Sequence, residues 1–172
     1  MEIRALRASD ERSAFHSGDP DLDRFLAKYA GQNQFRHHIG ATYVAVEGNM
    51  VAGYATVAPA YIEIDDLPAV QRKKLPRYPL PVLRLARLAV DESSRRKGLG
   101  KRLLRFVLRL ALRMSEDFGC VGVVVDAKPG AVDFYTQFGF FPLEVVEGQS
   151  PARPAATALF LPLAEVAAAQ SD

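Results

Sequence analysis

The sequence predicts an α/β domain, of the α+β kind, in which short strands alternate with helices. Residues 83–114 carry most of this prediction, because an apolar run is followed there by a glycine-bearing loop and then by apolar residues at helical spacing. Residues 121–139 repeat the order with a shorter helical pattern that ends at a glycine. A hairpin signal within residues 42–57 adds an antiparallel pair of strands.

The composition is typical of one soluble domain. With 49% hydrophobic residues, the 172-residue chain can bury a core, and we expect residues 1–172 to form a single domain with a frayed tail from about residue 164. No apolar run could span a membrane and the first ten residues are too polar for a signal peptide, so we expect a cytoplasmic protein. The one cysteine, Cys120, excludes an internal disulfide, and we expect it to be buried. Three histidines have neither metal spacing nor an acidic partner nearby, so we expect no metal: His16, His37 and His38.

The first half of the chain predicts a helix and then a hairpin. Asp19 and Pro20 are typical of a helix N-cap and first turn, and the helix could continue to about Gly40. Its apolar residues share one side: Leu22, Phe25, Leu26, Tyr29 and Ala30. Strands are expected at residues 42–47 and 51–57, joined by a two-residue turn at Gly48 and Asn49. The proline-broken connection at 59–81 could hold one short helix within 66–75 and is placed to shape a substrate mouth.

The second half continues the alternation. After the central strand (83–90) and its helix, we expect a strand at Gly122–Ala127 and a helix over about 129–138, ended by Gly139. The last strands are expected at residues 140–146 and 157–161, with a turn rich in Gly, Gln, Ser and Pro between them.

The loop between the central strand and its helix has the features of a phosphate site. Gly98 and Gly100 leave the backbone bare, and the amides and dipole of a helix N-terminus attract phosphate oxygens. Neighbouring cations add charge: Arg95, Arg96, Lys97 and Lys101. A tight turn with solvated charges is the alternative interpretation.

Two motifs identify a family. Arg95-x-x-Gly98-x-Gly100 resembles the acyl-CoA pyrophosphate loop of the GNAT acetyltransferases, and residues 131–140 resemble the Ala-x-x-Phe-Tyr-x-x-x-Gly-Phe segment near the C-terminus of those enzymes. The resemblance implies the GNAT acyl-CoA N-acyltransferase fold, with a mixed central sheet and flanking helices, and acetyl-CoA as cofactor. It also implies the cofactor-binding residues: Leu88, Ala89, Val90, Arg95, Arg96, Lys97, Gly98, Leu99, Gly100 and Lys101.

The same resemblance gives Tyr135 a catalytic role. In the family this tyrosine faces the CoA sulfur, and a phenol with a pKa near ~10 can protonate a departing thiolate with a pKa of about 8.5 at a small uphill cost. The alternative is a core aromatic beside Phe134 and Phe138.

The central strand lacks the carboxylate that many GNAT enzymes use as a base. Asp91 and Glu92 lie beyond its end. A lysine or polyamine amine, with a pKa of about 10.4, needs such a base, whereas an α-amine, with a pKa of about 8, is already partly neutral at physiological pH. The missing base therefore favours an α-amine substrate.

The net charge of +2 hides a basic segment, because residues 71–114 hold fourteen of the 22 Lys and Arg and two of the 20 acids. An arginine stripe on the helix can be simply solvated: Arg102, Arg105, Arg109 and Arg113. Six other cations are left unexplained by a CoA site: Arg72, Lys73, Lys74, Arg77, Arg84 and Arg87. Cations repel polyamines and attract a phosphate backbone, which indicates RNA.

A narrower resemblance agrees. The segments 22–26, 53–54, 75–81, 87–91 and 125–127 are similar to those of the tRNA-acetylating GNAT toxins of the TacT and AtaT type. This implies acetylation of the α-amine of aminoacyl-tRNA, a ribbon-helix-helix antitoxin and a homodimer. Two departures are conservative toward CoA binding: Arg95 and Lys97 replace common glutamines, and Ala86 replaces a glycine.

Two other functions stay open. The first is a housekeeping N-acetyltransferase of a small amine or a protein N-terminus, which would act without RNA and be harmless on expression. The second is a CoA-binding or antitoxin-binding protein without turnover, against which Tyr135 and the glycine loop argue.

Overall fold

The computed structural model describes residues 1–143 and 156–170. The strands in that part of the chain are β1 (Glu2–Ala5), β2 (Ala41–Glu47), β3 (Met50–Ile62), β4 (Leu80–Val90), β5 (Gly122–Ala127), β6 (Phe141–Pro142) and β7 (Thr157–Pro162). The helices are α1 (Pro20–Arg24), α2 (Ala69–Arg72), α3 (Leu99–Asp117), α4 (Val132–Thr136) and α5 (Leu163–Gln170). Hydrogen bonds order the strands as β1-β2-β3-β4-β5-β7-β6.

The chain groups into two units, each with its own core. The first comprises residues 1–58 and 85–107, and the second comprises residues 59–84 and the described residues from 108 onward.

In the first unit, β1, β2 and β3 pair in antiparallel order. The predicted turn joins β2 to β3, with Glu47 opposite Met50 and Gly48 at a φ of 61°, where glycine is favoured. β3 is longer than predicted, and β1 is a strand that the sequence patterns did not indicate.

The predicted N-cap of α1 is confirmed. The Asp19 carboxylate accepts hydrogen bonds from the amides of Asp21 (3.0 Å) and Leu22 (3.4 Å), and Pro20 occupies the first turn. The helix continues as π-helical turns over Phe25–Tyr29 and Gln32–His37 and ends at His38, whose φ is 53°.

One expectation for this helix is wrong. Tyr29 was expected on the apolar side, yet it is 47% exposed, whereas Phe25, Leu26 and Ala30 are buried. The amide of Ala30 donates to the carbonyl of Phe25, an i→i+5 bond. In such a wide turn Ala30 takes the place near Phe25 that Tyr29 would take in an α-helix, so Tyr29 is turned outward.

The core of the first unit lies between the helix and the sheet. Phe25 and Phe15 pack on the ring of Tyr54, whose hydroxyl donates to the carbonyl of Leu22 (2.7 Å). Burial raises the pKa of Tyr54 well above its ordinary value. This contact anchors the helix on β3.

In the second unit, β5 has the predicted bounds and pairs antiparallel with β7, which also pairs with β6. The expected short helix after residue 65 is α2, preceded by a 3-10 turn at Ile64–Asp66. The expected helix at 129–138 begins as a 3-10 turn at Pro129–Ala131 and continues as α4, with Gly139 at a φ of 99°.

The end of the chain differs from expectation. Of the strand expected at 140–146, β6 covers Phe141–Pro142, and residues 144–146 lie outside the described residues. The frayed tail expected from residue 164 is wrong as far as Gln170, because α5 occupies Leu163–Gln170. Val166 is completely buried, and this burial explains why the helix is held.

Candidate active site

The loop after β4 has the geometry expected of an anion site. Arg96 and Gly98 both have left-handed backbones, with φ of 63° and 74°, and α3 starts at Leu99. The amide of Arg102 donates to the carbonyl of Gly98 (3.1 Å), so the helix's own hydrogen bonds begin there. The first amides of this 19-residue helix have no acceptor within it and point to the loop.

The space over the loop suits a pyrophosphate. A Cβ atom built on Gly98 would meet nothing within 4 Å, so a ligand can approach the bare backbone. The cations Arg96, Lys97 and Lys101 are exposed around it. These features fit the diphosphate of acetyl-CoA.

Arg95 is placed differently from its neighbours. Its guanidinium donates a hydrogen bond to the carbonyl of Ser17, and Gly18 lies beside it, where a Cβ would be 3.1 Å from Arg95 Nη2. The arginine therefore ties the loop to the segment before α1.

Asp91, at the end of β4, is fully engaged. Its carboxylate accepts from the amides of His16 (2.8 Å) and Ser93 (3.0 Å) and from the Ser93 hydroxyl (2.6 Å), and its own amide donates to the carbonyl of Ala52 (2.8 Å). Burial favours the protonated acid, but these hydrogen bonds outweigh it and hold the pKa of Asp91 below its ordinary value. Asp91 is thus a cap for the following turn, and its carboxylate is not available to an amine.

His16 corrects one sequence expectation. Its Nδ1 lies 3.4 Å from Asp23 and its Nε2 lies 3.6 Å from Glu92, so it does have acidic partners. Glu92 is distant in sequence and becomes a neighbour only through the fold, whereas Asp23 lies seven residues further along the chain. Among the described residues, no group of three or more His, Cys, Asp or Glu side chains is arranged to hold a metal ion.

The backbone expected to hold the acetyl carbonyl lies at the end of β4. Ala89 is buried, while Leu88 and Val90 are half-buried. A Cβ on Gly53 would lie 3.1 Å from the carbonyl of Ala89, so a side chain on β3 would crowd the backbone of β4 at this point.

Tyr135 lies in α4, in the second unit, and is only 5% exposed. Its ring packs edge-on against Phe134 (5.1 Å between centroids) and Phe140 (5.6 Å). Burial raises the pKa of Tyr135 to about 12. The phenol therefore keeps its proton near neutral pH, as a general acid must.

The six unexplained cations are divided among four environments. In the second unit, Arg72, Lys73 and Arg77 line one cavity of about 290 Å³ together with Ile64, Asp65 and Ala69. Lys74 lines another cavity, and Arg84 pairs with Asp126 of β5.

In the first unit, the Arg87 guanidinium lies 3.7 Å from the centre of the Phe25 ring. This cation–π contact holds the π-helical continuation of α1 near β4. Of the six cations, Arg84 and Arg87 thus have partners that sequence reasoning missed, because those partners are distant in sequence.

Cys120 is buried, as expected, and its thiol donates to the carbonyl of Gly122 (3.2 Å). Burial raises the pKa of this thiol. No helix among the described residues is long and apolar enough to cross a membrane.

The fold and the loop define an acyltransferase class. Residues 2–140 match the model of the acetyltransferase (GNAT) family, and the chain belongs to this family. It has the GNAT fold, with a mixed seven-stranded sheet and flanking helices. It is an N-acetyltransferase whose cofactor is acetyl-CoA.

The chain is similar to toxins that acetylate tRNA or form complexes with it. A tRNA-acetylating toxin of Mycobacterium tuberculosis (strain ATCC 25618 / H37Rv) is 32% identical over 140 residues, which are 80% of this chain and 82% of the relative. AtaT complexed with acetyl-methionyl-tRNAfMet has a TM-score of 0.84 and 28% identity over 97% of both chains.

Two further complexes extend the comparison. AtaTR bound with acetyl-CoA has a TM-score of 0.78 and 28% identity over 97% of this chain and 96% of the other. A mutant AtaT toxin bound to the C-terminus of the antitoxin AtaR has a TM-score of 0.78 and 26% identity over 96% of this chain and 94% of the other. The chain is thus similar to toxin acetyltransferases along nearly its whole length.

Proposed function

We propose that the protein is a toxin that acetylates the α-amine of aminoacyl-tRNA and so blocks translation. The observation that carries the proposal is the chemistry of β4, which bears no carboxylate between Leu80 and Val90 and is followed by a fully engaged Asp91. Without a base, the enzyme needs an amine that is partly neutral at physiological pH, and an α-amine with a pKa of about 8 meets this condition. The similarity to AtaT complexed with acetyl-methionyl-tRNAfMet supports the same substrate.

The cofactor supplies an acetyl thioester, and the chain's residues orient it. Bare backbone at Gly98 and Gly100 and the first amides of α3 would hold the diphosphate, with Arg96, Lys97 and Lys101 as point charges. Arg95 and Leu99 fix the path of the loop. The backbone at Leu88, Ala89 and Val90 would polarise the acetyl carbonyl.

Tyr135 is the proposed general acid. It holds a proton on Oη that it can give to the leaving sulfur, while the substrate nitrogen gives up its own proton to water. Proton transfer by a positioned side chain contributes on the order of 10² to 10⁴ in rate. The aromatic packing around Tyr135 keeps the phenol protonated until it acts.

The basic residues are proposed to hold RNA. The cavity lined by Arg72, Lys73 and Arg77 concentrates positive charge and suits a phosphate. Lys74 and Arg84 would add charge in the same unit, and Arg87 would add charge in the other. Arg84 and Arg87 would contact RNA while they also contact Asp126 and Phe25.

The remaining expectations belong to the same proposal. The chain would act as a single GNAT domain in the cytoplasm, form a homodimer and be neutralised by a ribbon-helix-helix antitoxin. The antitoxin complex of AtaT supports the kind of partner.

The test uses radiolabelled acetyl-CoA with charged tRNA and with deacylated tRNA. Wild type should label only charged tRNA, and Tyr135→Phe should label it on the order of 10² to 10⁴ times more slowly. Label on small amines or protein N-termini and none on tRNA would favour a housekeeping acetyltransferase. No transfer to any acceptor would favour a binding protein without turnover.

A further inference from the structure

The helix that follows Asp19 carries exposed rings together with exposed positive charge. Tyr29 is 47% and Phe35 is 45% exposed, and the cations that adjoin them in sequence, Lys28 and Arg36, are exposed as well. We call these four residues the π-helical face, since they lie in the two π-helical segments Phe25–Tyr29 and Gln32–His37.

The backbone conformation of the helix causes the exposure of Tyr29. The i→i+5 bond from Ala30 to Phe25 places Ala30 in the core and turns Tyr29 outward. A second i→i+5 bond, from the amide of His38 to the carbonyl of Asn33, widens the turn that carries Phe35. π-Helical turns are rare and occur frequently at functional sites.

The charge along this segment of the sequence has one sign. Residues 24–46 contain no Asp or Glu, although the chain has 20, and they include Arg24, Lys28 and Arg36 as well as two histidines. Arg12 adds to this charge, because its guanidinium lies against Gly31, where a Cβ would be 2.8 Å from Nη1. The nearest acids along the helix are at its start, and one of them, Asp21, pairs with Arg24 at 3.6 Å.

The helix is also fixed to the unit that contains the acetyl-CoA loop. Arg87 of β4 stacks on Phe25, and Tyr54 of β3 bonds to Leu22. The amide of Thr42 donates to the Gln34 side chain (2.7 Å), which attaches the second π-helical segment to β2. The helix that carries the exposed rings is therefore attached to β2, β3 and β4.

Exposed rings flanked by cations are the combination that binds single-stranded nucleic acid, because bases stack on the rings and phosphates pair with the cations. We propose that the π-helical face binds unpaired nucleotides of RNA, with Tyr29 and Phe35 stacking bases and Lys28 and Arg36 contacting phosphates. This inference rests on the proposed function, in which the nucleotides are those of the single-stranded 3′ end of charged tRNA.

The experiment measures direct binding and needs no acetyl transfer. A fluorescent eight-nucleotide RNA ending in CCA is titrated with the full chain at fixed low salt, and anisotropy gives Kd. Tyr29→Ala and Phe35→Ala should each weaken binding about fivefold or more, because a stacked ring is removed. Tyr29→Phe keeps the ring and should bind within about twofold of wild type.

Phe118→Ala is the matched control. Phe118 is 75% exposed but directly follows the acids Glu116 and Asp117, so its ring adjoins negative charge in the sequence and its removal should leave Kd unchanged. The same RNA annealed to its complement should bind the two alanine variants as it binds wild type, since paired bases cannot stack on the rings.

The inference is overturned if Tyr29→Ala and Phe35→Ala bind the single strand like wild type, or if they lose duplex binding equally. If the two variants instead change the sedimentation coefficient without changing Kd, the face is a contact with a second copy and the RNA inference fails. The binding experiment and the labelling experiment can fail separately. If charged tRNA is not labelled but RNA binding still depends on the rings, only the proposed acetyl acceptor is rejected.

Discussion

The phenol of Tyr135 keeps its proton over the whole range in which an α-amine becomes neutral. Burial raises its pKa to about 12, whereas an α-amine loses its proton near about 8. A neutral amine and a protonated phenol can therefore coexist over a wide pH range. A tyrosine with the ordinary pKa of about 10 would leave a narrower pH range.

From this we predict the pH profile of kcat. The rate should rise as the amine is deprotonated and then stay level to about pH 10, because the proposal makes the acid form of Tyr135 the active one, and this form is lost only near the raised pKa. The pH dependence of kcat would be measured with a charged tRNA that is stable to base, such as an amide-linked analogue. A fall in kcat with a midpoint between about pH 8.5 and 10, the range of ordinary thiols and phenols, would contradict the assignment.

A second prediction concerns Asp91. Asp91→Asn should lower the free energy of unfolding at pH 7 by about 1–3 kcal/mol, because charge-assisted hydrogen bonds from His16 and Ser93 are weakened. The folded-state pKa of Asp91 is below the unfolded one, so its stabilisation is present above the ordinary carboxylate pKa and is lost as pH falls through the folded value.

Urea denaturation at several pH values would test this. Wild-type and Asp91→Asn stabilities should converge in acid, and the exposed Glu116→Gln should show no such change. A constant difference down to pH 3, roughly one unit below an ordinary carboxylate pKa, would mean that the charge of Asp91 does not matter.

At the scale of the element, the loop between β4 and α3 depends on its backbone more than on its side chains. Gly98 has open space above it, so a methyl group would meet no atom. Its φ of 74° is nevertheless one that side chains disfavour.

Gly98→Ala should therefore raise KM for acetyl-CoA by roughly fivefold to thirtyfold, corresponding to about 1–2 kcal/mol of backbone strain, and change kcat less. Gly130→Ala is the matched control, because Gly130 is equally open and has no left-handed φ. Equal effects of the two substitutions on KM would show that the conformation of Gly98 is not what the cofactor needs.

The elements also show what a sequence pattern can and cannot predict. The strand Gly122–Ala127 was predicted to the residue, because a β-branched run between turn residues is a purely local signal. β1 was missed, since its four residues are half-exposed and form a strand only by pairing with β2. The outward position of Tyr29 was missed as well, because helical spacing assumes α-geometry and the wide turn at Ala30 changes it.

At the scale of the whole molecule, two motifs far apart in sequence were enough to identify the family, since each fixes a local geometry. The contacts of the basic residues could not be predicted in the same way. Arg72, Lys73 and Arg77 gather at one cavity as a basic mouth would, but Arg84 and Arg87 are held by Asp126 and Phe25. Sequence alone adds up charges and does not reveal which of them the fold has already paired.

This division gives a fourth prediction. Replacing Arg72 and Arg77 together by Ala should raise KM for tRNA and reduce the slope of log K against log salt by about one for each lost phosphate contact, because fewer counterions are released. KM for acetyl-CoA should not change. Arg113→Ala, which removes an exposed arginine paired with Asp117 at 3.7 Å, is the matched control.

If the salt slope for tRNA is the same in the double variant, the cavity does not contact the phosphate backbone. An equal loss of slope in Arg113→Ala would instead indicate that net charge alone determines the affinity.

The burial of Cys120 has a practical consequence for every assay of this enzyme. Each turnover liberates one CoA thiol, and reagents that change colour on reacting with thiols are the simplest continuous readout. The protein's single sulfhydryl group is enclosed and reluctant to ionise, so it should contribute no background. Acetyl transfer can therefore be followed in real time, without a label, on wild type and on all the variants above, and a slow drift in the blank would report unfolding.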